Sequence, residues 1–209
     1  MSVPTLNQAH AFLHPLKGRL SAFIVTSRAE NRASASFILG CLAALRMRTL
    51  ILDTSCFYGT NAEVLTERLP AEFLERTKVL TITDDAKLEE ILAGVVTTKE
   101  AKAIIVDDLN TMNSLKSSGG EKFGVRKLFT LMRMFSWTAR MNNLLVLATI
   151  YRNEGQEAKG SKRSLAAAAD LNIIVKREAS HITFRCDNVD IWSNHEFIVA
   201  ADHTSSVIA

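Results

Sequence analysis

The sequence predicts an α/β domain with a mostly parallel, twisted sheet, flanking helices and antiparallel edge strands at the C-terminus. Two apolar runs carry this prediction, residues 50–52 followed by Asp53 and residues 103–106 followed by Asp107. Both runs are continuous, as expected for strands buried on both faces of a parallel sheet. Segments with helical periodicity separate the predicted strands, and this alternation is typical of a parallel sheet covered on both sides.

The composition fits one globular domain with a short N-terminal arm. The chain has 209 residues, of which 47% are hydrophobic, and its three cysteines lack the paired spacing of a metal site. We divide it into an arm, residues 1–16, and a core domain, residues 17–209. Pro4, Asn7 and Pro15 disfavour a helix in the arm. No metal or catalytic residue is predicted.

The hydropathy pattern excludes a membrane-spanning segment, because no uninterrupted apolar stretch reaches the ~18 residues that a spanning helix needs. No signal-peptide pattern occurs at the N-terminus either. The sequence therefore predicts a protein that is cytoplasmic or associated with the nucleoid, with no membrane partner.

The remaining elements follow in order along the chain. A strand over residues 21–25 leads through a polar turn to a helix that ends at Leu45. The apolar run that ends at Asp53 lies in a strand segment over residues 48–55. Further strands are predicted at residues 78–83, 144–149, 171–175, 181–185 and 196–200. Helices are predicted at residues 61–75 with a break at Pro70, at residues 84–92 and at residues 122–142.

The charges are unevenly distributed. From Asn113 to Arg185 there are thirteen basic and five acidic residues, a net charge of +8, whereas the remainder carries −5. On the helix over residues 122–142, one face carries Lys122, Arg126, Arg133 and Arg140. Such a split indicates a polyanionic partner. A solvated surface beside an acidic neighbouring subunit is the alternative.

The strand, turn and helix over residues 21–45 provide the setting in which a phosphate-binding loop normally lies. The chemistry of that loop is absent, because no glycine lets the backbone wrap a phosphate and no Lys precedes a Ser or Thr. Arg32 is the nearest cation, and the hydroxyl that would bind Mg²⁺ is displaced to Ser34 or lost. The residues of this degenerate nucleotide site are Thr26, Ser27, Arg32, Ser34, Asp53 and Asp107.

The order of these pieces resembles the RecA-fold core of bacterial, RadA-type and eukaryotic recombinases and of KaiC-like ATPases. KGRLSAFIV resembles the entry into the first core strand, LILDTSCFYGTNAEVL the second strand and its following segment, and KAIIVDDLN the Walker B strand with Asp107 at its end. LATIYRNEG and the segment from Gly160 to Asn188 are similar to the last core strand, a DNA-facing loop and an edge hairpin. The resemblance covers residues 17–200.

Three departures from this family predict an inactive ATPase. The loop glycines and Lys are missing, Ser55 stands where the resemblance implies a catalytic Glu, and Ile150 and Tyr151 stand where it implies an amide that senses the γ-phosphate. Charge neutralisation and water positioning are both needed for phosphoryl transfer. No cofactor is therefore predicted, although weak binding of ATP and Mg²⁺ stays open.

The segments that resemble the DNA-facing loops keep a basic character. Lys and Arg neutralise phosphates without reading sequence, and an aromatic ring can stack on any base. The predicted DNA-binding residues are Lys116, Lys122, Arg126, Tyr151, Arg152, Lys159, Lys162 and Arg163.

The resemblance implies a non-catalytic recombinase paralogue that binds single-stranded DNA and assists homologous recombination and repair. Its expected partners are single-stranded DNA and a RadA-type recombinase or another RecA-fold paralogue, and it is a candidate oligomer. Two alternatives remain. One is a structural or regulatory subunit that acts through protein contacts alone. The other is an ATPase with an unorthodox phosphate loop, in which Arg32 replaces the Lys and Ser34 the Mg²⁺ ligand.

Overall fold

Eight strands form one sheet in the order β3-β2-β4-β5-β1-β6-β7-β8. This computed structural model describes residues 4–67, 69–83, 94, 100–111, 121–152, 167–186, 191–192 and 195–200, with only the backbone described at residues 121–127. The strands are β1 (Arg19–Val25), β2 (Thr49–Asp53), β3 (Thr77–Thr81), β4 (Ala103–Asp107), β5 (Leu145–Tyr151), β6 (Leu171–Arg177), β7 (His181–Cys186) and β8 (Glu196–Ala200).

The sheet confirms the predicted fold class. β3, β2, β4, β5, β1 and β6 are paired in parallel, and β6–β7 and β7–β8 are antiparallel. β1 is central, since Phe23 lies between Thr149 of β5 and Ile173 of β6. Asp53 and Asp107 are register partners, so the two acidic strand ends are adjacent at one edge of the sheet.

The central strands alternate between two hydrophobic cores, one on each face of the sheet. In β1, Phe23 and Val25 face the core that contains helix α2 (Arg28–Ala44), whereas Leu20 and Ala22 face the other core. β2 and β4 divide their residues in the same way. The period of two along a strand turns a continuous apolar run into two buried faces.

The N-terminal segment forms a helix, α1 (Leu6–Leu13), so the sequence-based expectation that Pro4, Asn7 and Pro15 exclude helix is wrong. Thr5 and Gln8 form a capping box at its start, and Pro15 follows in a short 3₁₀ turn (His14–Leu16). The helix fits between the two prolines and ends before the second. The division into arm and core domain stays a prediction.

Phe12 of α1 anchors this helix in the core of the same chain. Its ring is fully buried and lies parallel to the ring of Trp192, with 5.3 Å between the ring centroids. The ring centroids of Phe23, Phe37 and Phe184 lie 4.8–6.4 Å from that of Phe12. α1 packs on α2, where Pro4 lies against Gly40.

The helical segment predicted over residues 61–75 is three short helices, α3 (Phe57–Thr60), α4 (Ala62–Thr66) and α5 (Ala71–Leu74). Pro70 is the N-cap of α5, in agreement with the predicted break. The first turn begins earlier than predicted because Cys56 adopts a left-handed conformation (φ 58°) and turns the chain directly into α3. The helix predicted at residues 84–92 lies outside the described residues.

Helix α6 (Glu121–Asn142) covers the face of the sheet opposite α2 and confirms the predicted long helix. Among its side chains from Leu128 onward, those of Leu128, Leu131, Met132, Phe135, Thr138 and Ala139 are buried. Although it has 22 residues, neither α6 nor another helix in the described ranges is long and apolar enough to cross a membrane.

Asp170 links α6 to the start of β1 through hydrogen bonds and an ion pair. Its carboxylate accepts hydrogen bonds from the Leu20 N–H (2.8 Å) and the Ser136 hydroxyl (2.7 Å), and it forms an ion pair with Arg140. Burial alone would raise the pKa of Asp170, but these hydrogen bonds and the Arg140 charge outweigh burial and lower that pKa. The ionised form of Asp170 therefore stabilises the fold.

Candidate functional site

The connection between β1 and α2 consists of only Thr26 and Ser27. Ser27 is the N-cap of α2 and forms a capping box with Glu30. One carboxylate oxygen of Glu30 accepts hydrogen bonds from the N–H groups of Thr26 (2.6 Å) and Ser27 (3.2 Å) and from the Thr26 hydroxyl (2.8 Å). An internal carboxylate thus occupies the backbone donors at the start of α2, where helices bind anions.

Arg32 and Ser34, which one alternative proposes as replacements for the Lys and the Mg²⁺ ligand, differ in their exposure to solvent. Arg32 is exposed, whereas Ser34 is buried within α2. The Ser34 hydroxyl donates a hydrogen bond to the backbone carbonyl of Asn31, 3.0 Å away. Ser34 therefore uses its hydroxyl hydrogen in its own helix.

Asp53 and Asp107 are fully buried at the carboxyl ends of β2 and β4. Asp53 accepts a hydrogen bond from the Gly59 N–H at 3.0 Å, and Asp107 accepts one from the Ser55 hydroxyl. Their second oxygens, Oδ1 in both residues, have no hydrogen-bond partner in the described part of the chain. Two half-satisfied carboxyl groups thus lie side by side.

The environment of Asp107 disfavours its charged form. Burial raises its pKa to about 7, and the negative charges of Asp53 and Asp108 act in the same direction. The hydrogen bond from Ser55 and the nearby Asn31 amide act in the opposite direction without cancelling this shift. Asp107 is therefore substantially protonated at neutral pH.

Two tyrosines complete the site. At this site, the sequence analysis noted Tyr151 only as standing where the resemblance implies an amide that senses the γ-phosphate, and it missed Tyr58. Tyr58 is buried, and its pKa is raised by burial and by the charges of Asp107 and Asp53. Tyr151 is partly buried, and its hydroxyl accepts a hydrogen bond from the Asn31 amide at 2.8 Å. Burial likewise raises the pKa of Tyr151. Both phenols therefore stay neutral at physiological pH.

The segment after β4 closes the site from the other side. Asp108 has a positive φ (53°), and one of its carboxylate oxygens accepts the Asn110 N–H at 3.0 Å. The Asn110 side chain accepts the Tyr151 N–H (2.9 Å) and donates to the Tyr151 carbonyl (3.3 Å). The Thr54 hydroxyl donates to the Asp108 carbonyl at 3.1 Å. These contacts tie the ends of β2, β4 and β5 together.

Sequence reasoning missed Asn31, Tyr58, Asp108 and Asn110 as members of this cluster. The doublet Asp107-Asp108 at a strand end was the available signal, since consecutive carboxylates are unusual beside a buried strand. Asn31 and Tyr58 gave no comparable signal, because their roles depend on side chains that are distant in sequence. Among the described residues, no group of three or more His, Cys, Asp or Glu residues could hold a metal ion.

The predicted DNA-binding residues are only partly described. Arg152 is exposed, and its N–H extends the β1–β5 pairing by donating to the Val25 carbonyl at 2.8 Å. Lys122 and Arg126 lie on the first turns of α6. Lys116, Lys159, Lys162 and Arg163 lie outside the described residues. The structure therefore leaves the DNA-binding role of the whole set, including Tyr151, as a prediction.

No protein-family model matches the sequence. No curated protein matches it either. Among solved structures, the chain is similar to a crystal structure of the RadB recombinase, with a TM-score of 0.55 and 12% sequence identity. The match covers 82% of this chain and 81% of that one. The chain therefore has a RecA-like fold.

Proposed function

We propose that this chain is a non-catalytic recombinase paralogue that binds single-stranded DNA and assists homologous recombination and DNA repair. Its fold is shared with a RadB recombinase structure, which supports the class of protein. The observation that carries the non-catalytic part is Glu30, whose carboxylate occupies the backbone N–H groups of Thr26 and Ser27. A phosphate entering this turn would have to displace that carboxylate.

Three further features support the absence of ATP turnover. The two-residue turn is too short to wrap a phosphate, whereas a phosphate-binding loop places several consecutive N–H groups around its ligand. Ser34 donates its hydroxyl hydrogen within α2. Ser55, in place of a catalytic Glu, donates to Asp107. In the described part of the chain, no Lys directly follows this turn and Ser55 is not a carboxylate, which supports the loss of the phosphate-binding Lys and the water-positioning carboxylate of phosphoryl transfer.

Nucleotide binding is tested by calorimetry with ATP and Mg²⁺ on the full chain. We expect no saturable heat. Saturable binding that is abolished by Arg32→Ala would overturn the non-catalytic assignment and favour the ATPase with an unorthodox loop. Saturable binding that survives Arg32→Ala would also contradict the expected absence of nucleotide binding, and it would show that the nucleotide is held without Arg32.

The DNA part of the proposal depends on the basic residues between Asn113 and Arg185, which carry a net charge of +8. We expect labelled single-stranded DNA to be retained in a gel shift at low salt, with an affinity that falls steeply as salt rises. The triple variant Lys159→Ala, Lys162→Ala, Arg163→Ala should weaken binding to all sequences alike. It should also reduce the slope of log affinity against log salt by about 2, because each of the three lost phosphate contacts contributes ~0.7 to that slope.

A matched control removes the same charge at the edge of the sheet where β2, β3 and β4 begin. Arg48, Arg76 and Lys102 are exposed and directly precede β2, β3 and β4. Their triple Ala variant should leave the salt slope unchanged. Equal losses of DNA affinity in the two triple variants would show that only the net charge of the chain matters. If no DNA is retained at low salt, the result would favour a subunit that acts through protein contacts alone. A RadA-type recombinase or another RecA-fold paralogue is the proposed protein partner.

A further inference from the structure

Helix α6 exposes an apolar stripe on the side away from its buried face. Met134, Trp137 and Met141 have 41%, 58% and 66% of their surface exposed. They are three and four residues apart, so they lie on one side of the helix along about 10 Å of its axis. Leu128, Met132 and Phe135, by contrast, are buried against the sheet. The stripe is therefore a second apolar face that the chain's own core does not use.

The charge beside this stripe has one sign. From Lys122 to Asn142, α6 contains five basic residues and no Asp or Glu. Arg133 and Arg140, seven residues apart, border the stripe on one flank, and both are exposed. Arg140 is paired with Asp170, whereas Arg133 has no carboxylate partner among the described residues. The surface is therefore apolar along its centre and positive at its border.

We propose that this stripe of α6 docks an acidic amphipathic helix of a partner protein. An apolar stripe at helical spacing is the surface that accepts the apolar face of a second helix. Acidic residues on the flank of that helix would lie opposite Arg133 and Arg140. Charge complementarity of this kind raises the rate of association and fixes the orientation of the partner.

Two other occupants fit this surface less well. In an antiparallel two-fold pairing of α6 with a second copy, the arginine flank of one helix would face the arginine flank of the other, because the two-fold axis maps that flank onto itself. Like charges so placed cost binding free energy. Single-stranded DNA would pair with the arginines and stack a base on Trp137, but Met134 and Met141 beside that ring offer no contact suited to a phosphodiester backbone.

Trp137 gives a direct signal for the test, since the chain has two tryptophans and the other, Trp192, is 6% exposed in the core. The probe is a synthetic peptide of about eighteen residues, or five helical turns, with Leu on one face and Glu on the others. Its comparison peptides replace Glu by Lys or scramble the order. We expect the acidic peptide to shift the Trp137 emission to shorter wavelength with a saturable, micromolar affinity, and Trp137→Phe to abolish the shift.

The variants locate the site on α6. The pair Met134→Ala, Met141→Ala should weaken binding of the acidic peptide about tenfold or more, measured by calorimetry, and Arg133→Glu should weaken it further. Ile198→Ala, which removes an equally exposed apolar side chain on β8, should not change the affinity. Circular dichroism of each variant separates loss of binding from loss of fold.

Four outcomes would overturn the proposal. In the peptide titrations, these are no binding of the acidic peptide, or equal binding of the scrambled or Lys peptide. A dimer in sedimentation that Trp137→Ala dissociates would assign the stripe to a second copy. Single-stranded DNA that shifts the Trp137 emission and displaces the acidic peptide would assign it to DNA. The peptide titrations contain no DNA and no nucleotide. Their failure is therefore distinguishable from failure of the proposed function.

Discussion

Glu30 closes the turn before its own helix by accepting two hydrogen bonds from Thr26, one from the backbone N–H at 2.6 Å and one from the hydroxyl at 2.8 Å. In parallel α/β sheets, ligands bind at the carboxyl ends of the strands. This turn lies at that edge, immediately after the central strand β1. An internal anion therefore takes the position at which an external anion would be bound.

Replacement of Glu30 tests the strength of this contact. Glu30→Ala should lower the free energy of unfolding by about 1 kcal/mol, because the N–H groups of Thr26 and Ser27 lose their acceptor. Glu30→Gln retains an amide oxygen and should cost less. Urea unfolding measures both, with Glu67→Ala, at an exposed glutamate outside the cap, as the control. Equal losses in Glu30→Ala and Glu67→Ala would contradict a capping role.

The stability of the protein should depend on the protonation of Asp107. Its pKa in the folded chain is about 7, compared with 3.8 for an unperturbed Asp. Because the folded pKa is raised, the stabilising contribution is fully present below pH 3.8 and is lost as the pH rises through about 7. Asp107→Asn cannot ionise and can still accept the Ser55 hydroxyl. It should therefore be more stable than the parent chain above pH 7.

The size of this effect follows from the pKa shift. A shift of about three units in the pKa of Asp107 corresponds to about 4 kcal/mol of difference in folding free energy between its protonated and ionised forms. Denaturant unfolding of the parent chain and of Asp107→Asn between pH 4 and pH 8 measures the difference. Parallel stability curves over this range would show that Asp107 ionises in the folded chain as it does in the unfolded one.

Asp170 should show the opposite dependence on pH. Its pKa is lowered in the folded chain, so its contribution is present above the unfolded pKa and is lost as the pH falls through the folded one. Asp170→Asn should cost about 2 kcal/mol near pH 7, because it weakens charged hydrogen bonds to Leu20, Ser136 and Arg140. The deficit should disappear in acid. Unfolding of both chains between pH 2 and pH 7 tests this, and a deficit constant with pH would indicate lost packing instead.

A side chain at Gly40 should destabilise the chain while Pro4 remains in place. A Cβ atom at Gly40 would lie 2.7 Å from Pro4 Cδ, inside van der Waals contact. Gly40→Ala should therefore destabilise the chain by about 1 kcal/mol or more, although Ala is the better helix former. Addition of Pro4→Ala should recover part of the loss. Thermal unfolding provides the measurement.

Gly59 is the matched control for this pair. A Cβ atom there would lie 3.7 Å from its nearest neighbour, Asp53 Oδ2, which is an ordinary contact. Gly59→Ala should be neutral or slightly stabilising. If Gly40→Ala is equally neutral, the N-terminal segment moves away from α2 without cost, and the tight approach of Pro4 does not hold α1 in place.

The pattern of the sequence by itself determined the fold class and most of the elements. β8 (Glu196–Ala200) has the predicted bounds, and β4 and α6 differ from prediction by one residue each. These segments have a strong apolar period, and that period is a local property of the chain. The N-terminal helix was missed because its stability comes from the capping box at Thr5 and from burial of Phe12, which outweigh the effect of the flanking prolines.

Only the tertiary structure decided the composition of the site. The sequence marked Asp53 and Asp107 as strand-end carboxylates, and their register made them neighbours. It could not place Tyr58 beside them or aim the Asn31 amide at Tyr151, 120 residues away. Strand ends follow from local hydrophobic pattern, whereas burial, pKa and hydrogen-bond partners depend on which distant segments meet at one edge of the sheet.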